Sequence, residues 1–211
     1  MNSKKKIGIA VGALVAGAAA FSMVACNGGG GSSSSDMTTC QPAQPVVFPT
    51  PENLPSDLAE YQSPERGYIV RYPIDWQAKA NQASYQNISG DTFFSPAPIG
   101  DVRPNVTITC ETIPVGTDSR AYVDAKRAVL EQLIGSSPNT AAQFQVDGKD
   151  AYGWEYKLTA QTTPEPQVLD KVEVLFADDR GGWSITLLVP DGQVSNYQAI
   201  YDAMVASFHE E

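Results

Sequence analysis

Residues 144–189 carry an alternation that leaves a folding chain little choice. Trp154, Tyr156 and Leu158 alternate with Glu155 and Lys157, and Val172, Val174 and Phe176 alternate with Lys171, Glu173 and Leu175. Trp183, Ile185, Leu187 and Val189 follow, with Leu188 on the opposite face. A period of two puts one set of side chains on each face of an extended strand. Turn-forming residues separate the runs: Asp147-Gly148-Lys149-Asp150 after Phe144 and Val146, and Asp178-Asp179-Arg180-Gly181-Gly182 before Trp183. Such short connections make hairpins, so the predicted sheet is antiparallel. The run from Trp183 to Val189 is the most apolar and is predicted to lie at the centre of that sheet.

Three strands are predicted earlier, at Tyr68–Tyr72, at Thr92–Ser95 and where Val106, Ile108 and Cys110 alternate with Thr107, Thr109 and Glu111. A helix is predicted from Ser119 to Ile134, capped by Asp118 and closed by Gly135. Its apolar stripe is Tyr122, Ala125, Val129 and Leu133, widened by Ala121, Leu130 and Ile134, with Asp124, Lys126, Arg127 and Glu131 largely off it. A second helix is predicted from Val194 to His209, with Tyr197, Ile200, Met204 and Phe208 buried and Tyr201 and Ala203 flanking them. The expected class is α+β, an antiparallel sheet of about six or seven strands covered by two main helices, in one domain over residues 59–211.

The first 25 residues are of another kind. Lys4, Lys5 and Lys6 precede an uncharged run from Ile7 to Ala20, the signature of a secretory signal peptide. The following Met23-Val24-Ala25-Cys26 resembles the bacterial lipobox, with Met23 where Leu is usual. That resemblance implies cleavage before Cys26 and lipidation of Cys26 by a diacylglycerol, with palmitate as the accompanying acyl group. It places the remainder of the chain outside the cytoplasm, on a cell membrane. Two alternatives are simple secretion and an uncleaved anchor. Ile7–Ala25 has the 19 residues that an anchor helix needs to span a bilayer, but many are Gly or Ala.

Residues 26–58 are expected to form a tether. Gly28–Gly31 and Ser32–Ser35 supply no core residue, and Pro42, Pro45, Pro49, Pro51 and Pro55 favour extension. As a coil, this stretch spans roughly 30 Å r.m.s., and roughly 100 Å when straight. Beyond the leader the chain has 11 Lys and Arg against 24 Asp and Glu. That acidity argues against a nucleic-acid partner and against the domain lying on anionic headgroups. If Cys26 carries a lipid, Cys40 and Cys110 remain. They can form a disulfide, or Cys110 can be a buried thiol while Cys40 stays in the tether.

The run Gly67-Tyr68-Ile69-Val70-Arg71-Tyr72-Pro73-Ile74-Asp75-Trp76 resembles the opening of PsbP-like domains, and the order of later elements to about residue 209 is similar to theirs. The resemblance implies a three-layer α/β/α sandwich. The family includes extrinsic proteins of photosystem II and bacterial lipoproteins without an assigned role, and MOG-type Ran-binding proteins share its fold. Fold alone does not carry function.

Residues for chemistry are sparse. His209 is the sole histidine and is expected at a helix end, in a structural or solvent role. No motif of a serine hydrolase, zinc protease or nucleotide-binding loop occurs, so no catalytic residue, metal ligand or cofactor is assigned beyond the lipid on Cys26. Asp147 with Asp150, and Asp178 with Asp179, are the clearest acidic groupings; turn aspartates more often bond their own backbone than calcium. Trp76, Tyr72, Phe93 and Phe94 could line a cleft, though core packing is their ordinary use. The expectation is a non-enzymatic protein-binding or accessory module, anchored to a membrane and with an unidentified protein partner. The alternatives are an ion- or small-molecule-binding protein, including a photosystem II extrinsic-like role, and a hydrolase with an acidic site.

Overall fold

A computed structural model of the chain describes residues 36–42, 44–46, 56–85, 87–135, 137–139, 142–160 and 166–211. Cys26, the leader and the Pro-containing loop at 161–165 lie outside the described residues.

Seven strands form the main sheet: β3 (Gln77–Tyr85), β4 (Ile88–Phe94), β5 (Asn105–Glu111), β6 (Ala142–Val146), β7 (Lys149–Ala160), β8 (Gln167–Ala177) and β9 (Gly182–Pro190). Their order is β3-β4-β5-β9-β8-β7-β6 and every pairing is antiparallel. β9 takes the fourth place, the central one predicted from its composition. A smaller sheet has the order β1-β2-β10, from β1 (Leu58–Ser63), β2 (Tyr68–Pro73) and β10 (His209–Glu210). The helices are α1 (Ser119–Ile134) and α2 (Val194–Ser207).

Strand alternation sorts the apolar side chains into two cores, one on each face. Val174, Phe176, Trp183, Ile185 and Leu187 face Tyr201 and Met204 of α2, Phe208, and Tyr68 and Val70 of the small sheet. Leu175, Tyr152, Trp154 and Tyr156 point the other way, toward Tyr122, Val123 and Leu130 of α1. The architecture is therefore α+β, with helices on opposite faces of one antiparallel sheet. No helix among the described residues is long and apolar enough to cross a membrane.

Local signals account for the element ends. Asp147 and Gly148 both have positive φ, 49° and 73°, as a two-residue hairpin turn between β6 and β7 requires. Asp118 caps α1 by accepting from the Ala121 amide at 2.7 Å, and Gly135 at φ 69° ends it.

Four expectations need correction. The buried side of α1 is centred on Tyr122, Val123 and Leu130, whereas Leu133 is exposed. Lys126 and Arg127 turn toward the sheet, because the face beneath them carries Glu111 and the Trp154 ring. The second helix stops at Ser207; Phe208 is extended, and His209 and Glu210 form strand β10 against β2. The aromatics Trp76, Tyr72 and Phe93, by contrast, take their ordinary use in the core, where Tyr72 meets Phe93 and Trp76 meets Tyr197 of α2. Finally, the assigned tether is not free throughout. Residues 36–40 lie along the domain: Thr38 donates to Ile113 O and Cys40 donates to Arg180 O, each at 2.9 Å, and Thr38 and Cys40 are buried. Apolar area and backbone partners at the domain edge outweigh the polar composition of this strap.

Candidate functional site

The charged residues that the sequence scatters over two turns and the C-terminal strand converge at one end of the sheet. The β6–β7 turn brings Asp147 and Lys149, the β8–β9 turn brings Asp178, Asp179 and Arg180, and β10 brings His209 and Glu210. Around them lies a cleft of about 500 Å³, lined also by Thr39, Gln41 and Pro42 of the strap and by Glu211.

Arg180 is the clamp at its centre. Its guanidinium donates to the carbonyl oxygens of Arg66 and Gly67 at 3.1 and 3.2 Å, and its Nε donates to Glu210 Oε1 at 3.1 Å. The same group lies over the Trp183 ring, 5.6 Å from its centre. Gly67 has φ +61°, and a Cβ built there would meet Arg180 Nη1 at 2.6 Å. This gives a physical reason for the glycine that opens the motif at residues 67–76: the clamp occupies the space a side chain would need.

Lys149 sits among three carboxylates. Its ammonium is bonded to Glu210 and lies 3.5 Å from Asp147 and 3.7 Å from Asp178. Asp147 also holds β10 in place, accepting from the Glu210 amide at 3.0 Å while contacting His209 Nδ1 at 2.7 Å. Burial opposes charge on Asp147, but the Glu210 amide and His209 bring its carboxyl below the usual range. Glu210 goes the other way: burial and the adjacent Asp178 carboxyl push it up to about 7, against the pull of Lys149 and Arg180. Asp178 stays below the usual range despite burial, because Glu210 and the amides of Gly181 and Arg180 donate to it.

The floor of the cleft is thus a rigid set of mutually paired charges, while Thr39, Gln41, Asp179 and Glu211 are exposed on its rim. Such an arrangement displays fixed polar groups from a supported scaffold. Among the described residues no group of three or more His, Cys, Asp or Glu is arranged to hold a metal ion. Lys149 instead fills the space between its three carboxylates.

Of the residues singled out from sequence, Cys40 and Cys110 are joined by a disulfide with Cα atoms 5.7 Å apart. The bond fixes the strap to β5 beside Gly181. Asp147 and Asp178, read as members of separate turns, meet here. Arg180 and Glu210 carried no sequence signal; their roles depend on β10 folding back, which helical periodicity concealed.

A second charged site lies half-buried on the α1 face of the sheet. Glu173 accepts from the Trp154 indole at 3.0 Å, Ser184 at 3.1 Å and Lys171 at 3.2 Å. Burial works against its charge, but Lys171, Trp154 and Lys126 outweigh it and bring the carboxyl down to about 2. Its donors come from three neighbouring strands, so Glu173 ties β7, β8 and β9 together on the α1 face of the sheet.

No family model matches the chain, and no curated protein matches its sequence. Solved structures do match its shape. The solution structure of cyanobacterial PsbP (CyanoP) from Synechocystis sp. PCC 6803 superposes with a TM-score of 0.51 at 12% identity, covering 80% of this chain and 100% of that one. The Ran-binding protein Mog1p of Saccharomyces cerevisiae gives 0.46 at 13% identity over 72% of this chain and 95% of its own. LpqN of Mycobacterium tuberculosis, described as involved in cell envelope biogenesis, gives 0.43 at 10% identity over 72% and 89%. At these identities the likeness is one of fold: the domain has a PsbP-like fold.

Proposed function

We propose that the chain is an extracytoplasmic lipoprotein whose domain is a non-enzymatic binding or accessory module, with the cleft around Arg180 as its contact surface. The observation that carries this reading is the Cys40–Cys110 bond. It fastens the strap that follows the lipobox-like Cys26 and its Gly/Ser linker into the wall of the cleft, so the contact surface lies at the end of the domain that leads back to the anchor. A disulfide also suits a chain that leaves the reducing cytoplasm. The rim is acidic, through Asp179 and Glu211, which favours a partner with a basic contact patch.

Two experiments test the proposal. Mass spectrometry of the mature N-terminus reports whether Cys26 carries a diacylglycerol, and Cys26→Ser should move the protein from the membrane to the soluble fraction. Capture of membrane proteins on the soluble domain should yield a partner that is lost with Asp179→Lys and Glu211→Lys. Equal capture by wild type and variant would refute the cleft as the contact surface.

A second reading, a small cation held in the same cleft, draws support from the convergence of Asp147, Asp178 and Glu210. Lys149 already occupies the space among these carboxylates. Calorimetric titration with calcium and manganese decides between the two: binding heat that disappears in Asp178→Asn favours the cation.

A further inference from the structure

Five large apolar side chains are exposed among the described residues: Met37, Ile74, Val115, Leu133 and Val168. Single exposed apolar side chains are ordinary on a protein surface. Ile74, Leu133 and Val168 belong to separate elements. Met37 and Val115 instead occupy adjacent rungs of one short ladder. Met37 pairs with Pro114 in an antiparallel bridge, and the Val115 amide donates to Asp36 O at 2.9 Å. Met37 is 44% exposed and Val115 61%. The Thr38–Ile113 bond and the Cys40–Cys110 disulfide hold this ladder to the sheet, so its apolar side chains are displayed from a fixed base.

The ladder also stands where the chain leads back to Cys26. Only residues 27–35 separate Cys26 from Asp36, and they are Asn27, four Gly and four Ser. A coil of that length spans roughly 17 Å r.m.s., and about 35 Å when straight. A lipid on Cys26 therefore keeps this edge within a few molecular diameters of the bilayer.

We infer that the edge formed by Met37, Pro114 and Val115 rests on a zwitterionic phospholipid bilayer, with its apolar side chains seated at the boundary between headgroups and acyl chains. The inference rests on the reading of Cys26 as lipidated. Shallow apolar contacts of this kind add to a lipid anchor as a second attachment. Asp36 and Asp118 flank the edge in sequence, and the mature chain is strongly acidic, so anionic headgroups are disfavoured. The contact turns the strap end of the domain toward the membrane. Thr39, Gln41 and Pro42, which follow directly, then bring the cleft close to the bilayer, within reach of partners embedded in it.

The test uses the full lipidated chain on vesicles of phosphatidylcholine with brominated acyl chains. Bromine quenches only a tryptophan that reaches the acyl region. The native Trp76, Trp154 and Trp183 are buried and supply a constant background. Val115→Trp should add emission that is lost on brominated vesicles. Ile74→Trp, at the other end of β2 from the Arg180 clamp, should add emission that is kept. Met37→Trp repeats the measurement should Val115→Trp fail to fold. Unquenched emission from Val115→Trp or Met37→Trp, with lipid present on Cys26 by mass spectrometry and the protein floating with the vesicles, overturns the contact but not the anchor. A Cys26 without lipid overturns the anchor, and the contact with it.

Discussion

Arg66 and Asp91 form an ion pair, 2.9 Å from Nη1 to Oδ1, with both side chains almost wholly hidden from solvent. Asp91 also accepts from Ser63 at 3.0 Å, Tyr68 at 2.6 Å and the Asn81 amide at 2.9 Å. This single carboxylate therefore joins β1, β2 and the bulged part of β3 to β4. Replacing it strands a buried guanidinium. Asp91→Ala should cost about 3–5 kcal/mol, the range for breaking one partner of a buried pair. Urea unfolding gives the number, and a loss below about 1 kcal/mol would contradict the assignment. The double replacement Arg66→Met with Asp91→Leu should recover much of the stability, since it leaves no uncompensated charge.

The disulfide should matter for both stability and the strap. It links residues 70 apart in sequence. Chain entropy sets a ceiling of about 4 kcal/mol for closing a loop of that size. Cys40→Ala with Cys110→Ala should lower the unfolding free energy by up to that amount. It should also speed amide exchange at Thr38 and Cys40 ahead of exchange in β5 and β9. Unchanged exchange in the strap would show that backbone pairing alone holds it.

Glu173 offers a stability effect with a defined sign. Its folded carboxyl is lowered to about 2 from an ordinary value of 4.5. The stabilisation it supplies is therefore full above about pH 4.5 and is lost as pH falls toward 2. Glu173→Gln should be less stable than the wild type at neutral pH, and the difference should shrink on acidification across that window. A difference independent of pH would mean that the loss is one of packing alone.

Glu210 should show the opposite sign. With its folded carboxyl raised to about 7, the native state holds a proton that the unfolded chain has released. Stability contributed at this position falls as pH rises from about 4.5 to 7. Carbon NMR of the side-chain carboxyl should place its midpoint well above the ordinary glutamate range, and Asp178→Asn should lower it. A midpoint at the ordinary value would show that Lys149 and Arg180 dominate instead.

Much of the fold is legible in the sequence because its strongest signals are local. Alternation marks β5, β7, β8 and β9; Asp118 and Gly135 bracket α1; and the apolar content of β9 places it at the centre. β1 and β3 escape notice because Leu58–Ser63 and Gln77–Tyr85 have little apolar alternation, and their pairing is set by neighbours rather than by their own residues. The cleft is harder still. Asp147 and Asp178 read as turn residues, and nothing local to Arg180 or Glu210 shows that a strand after α2 will bring them together. Helical spacing through Phe208 hides the change to extended backbone. The buried face of α1 is hidden from the sequence for a related reason. Lys126 and Arg127 look like solvent residues until the carboxylate and indole beneath them are known.

The strand order has a consequence for how copies of this chain behave at close quarters. An open sheet has two edges, and each is a row of unused donors and acceptors that another chain can extend. At β3 the row is interrupted: the register shifts between Lys79 and Ala83, and Asn81 turns to φ 55°. At β6 it is regular, five residues long, with Phe144 lying over Gly153 of its neighbour. Crowding would therefore recruit a second chain along β6 first, and a proline or lysine placed there, rather than on β3, is the substitution that would keep a concentrated preparation monomeric.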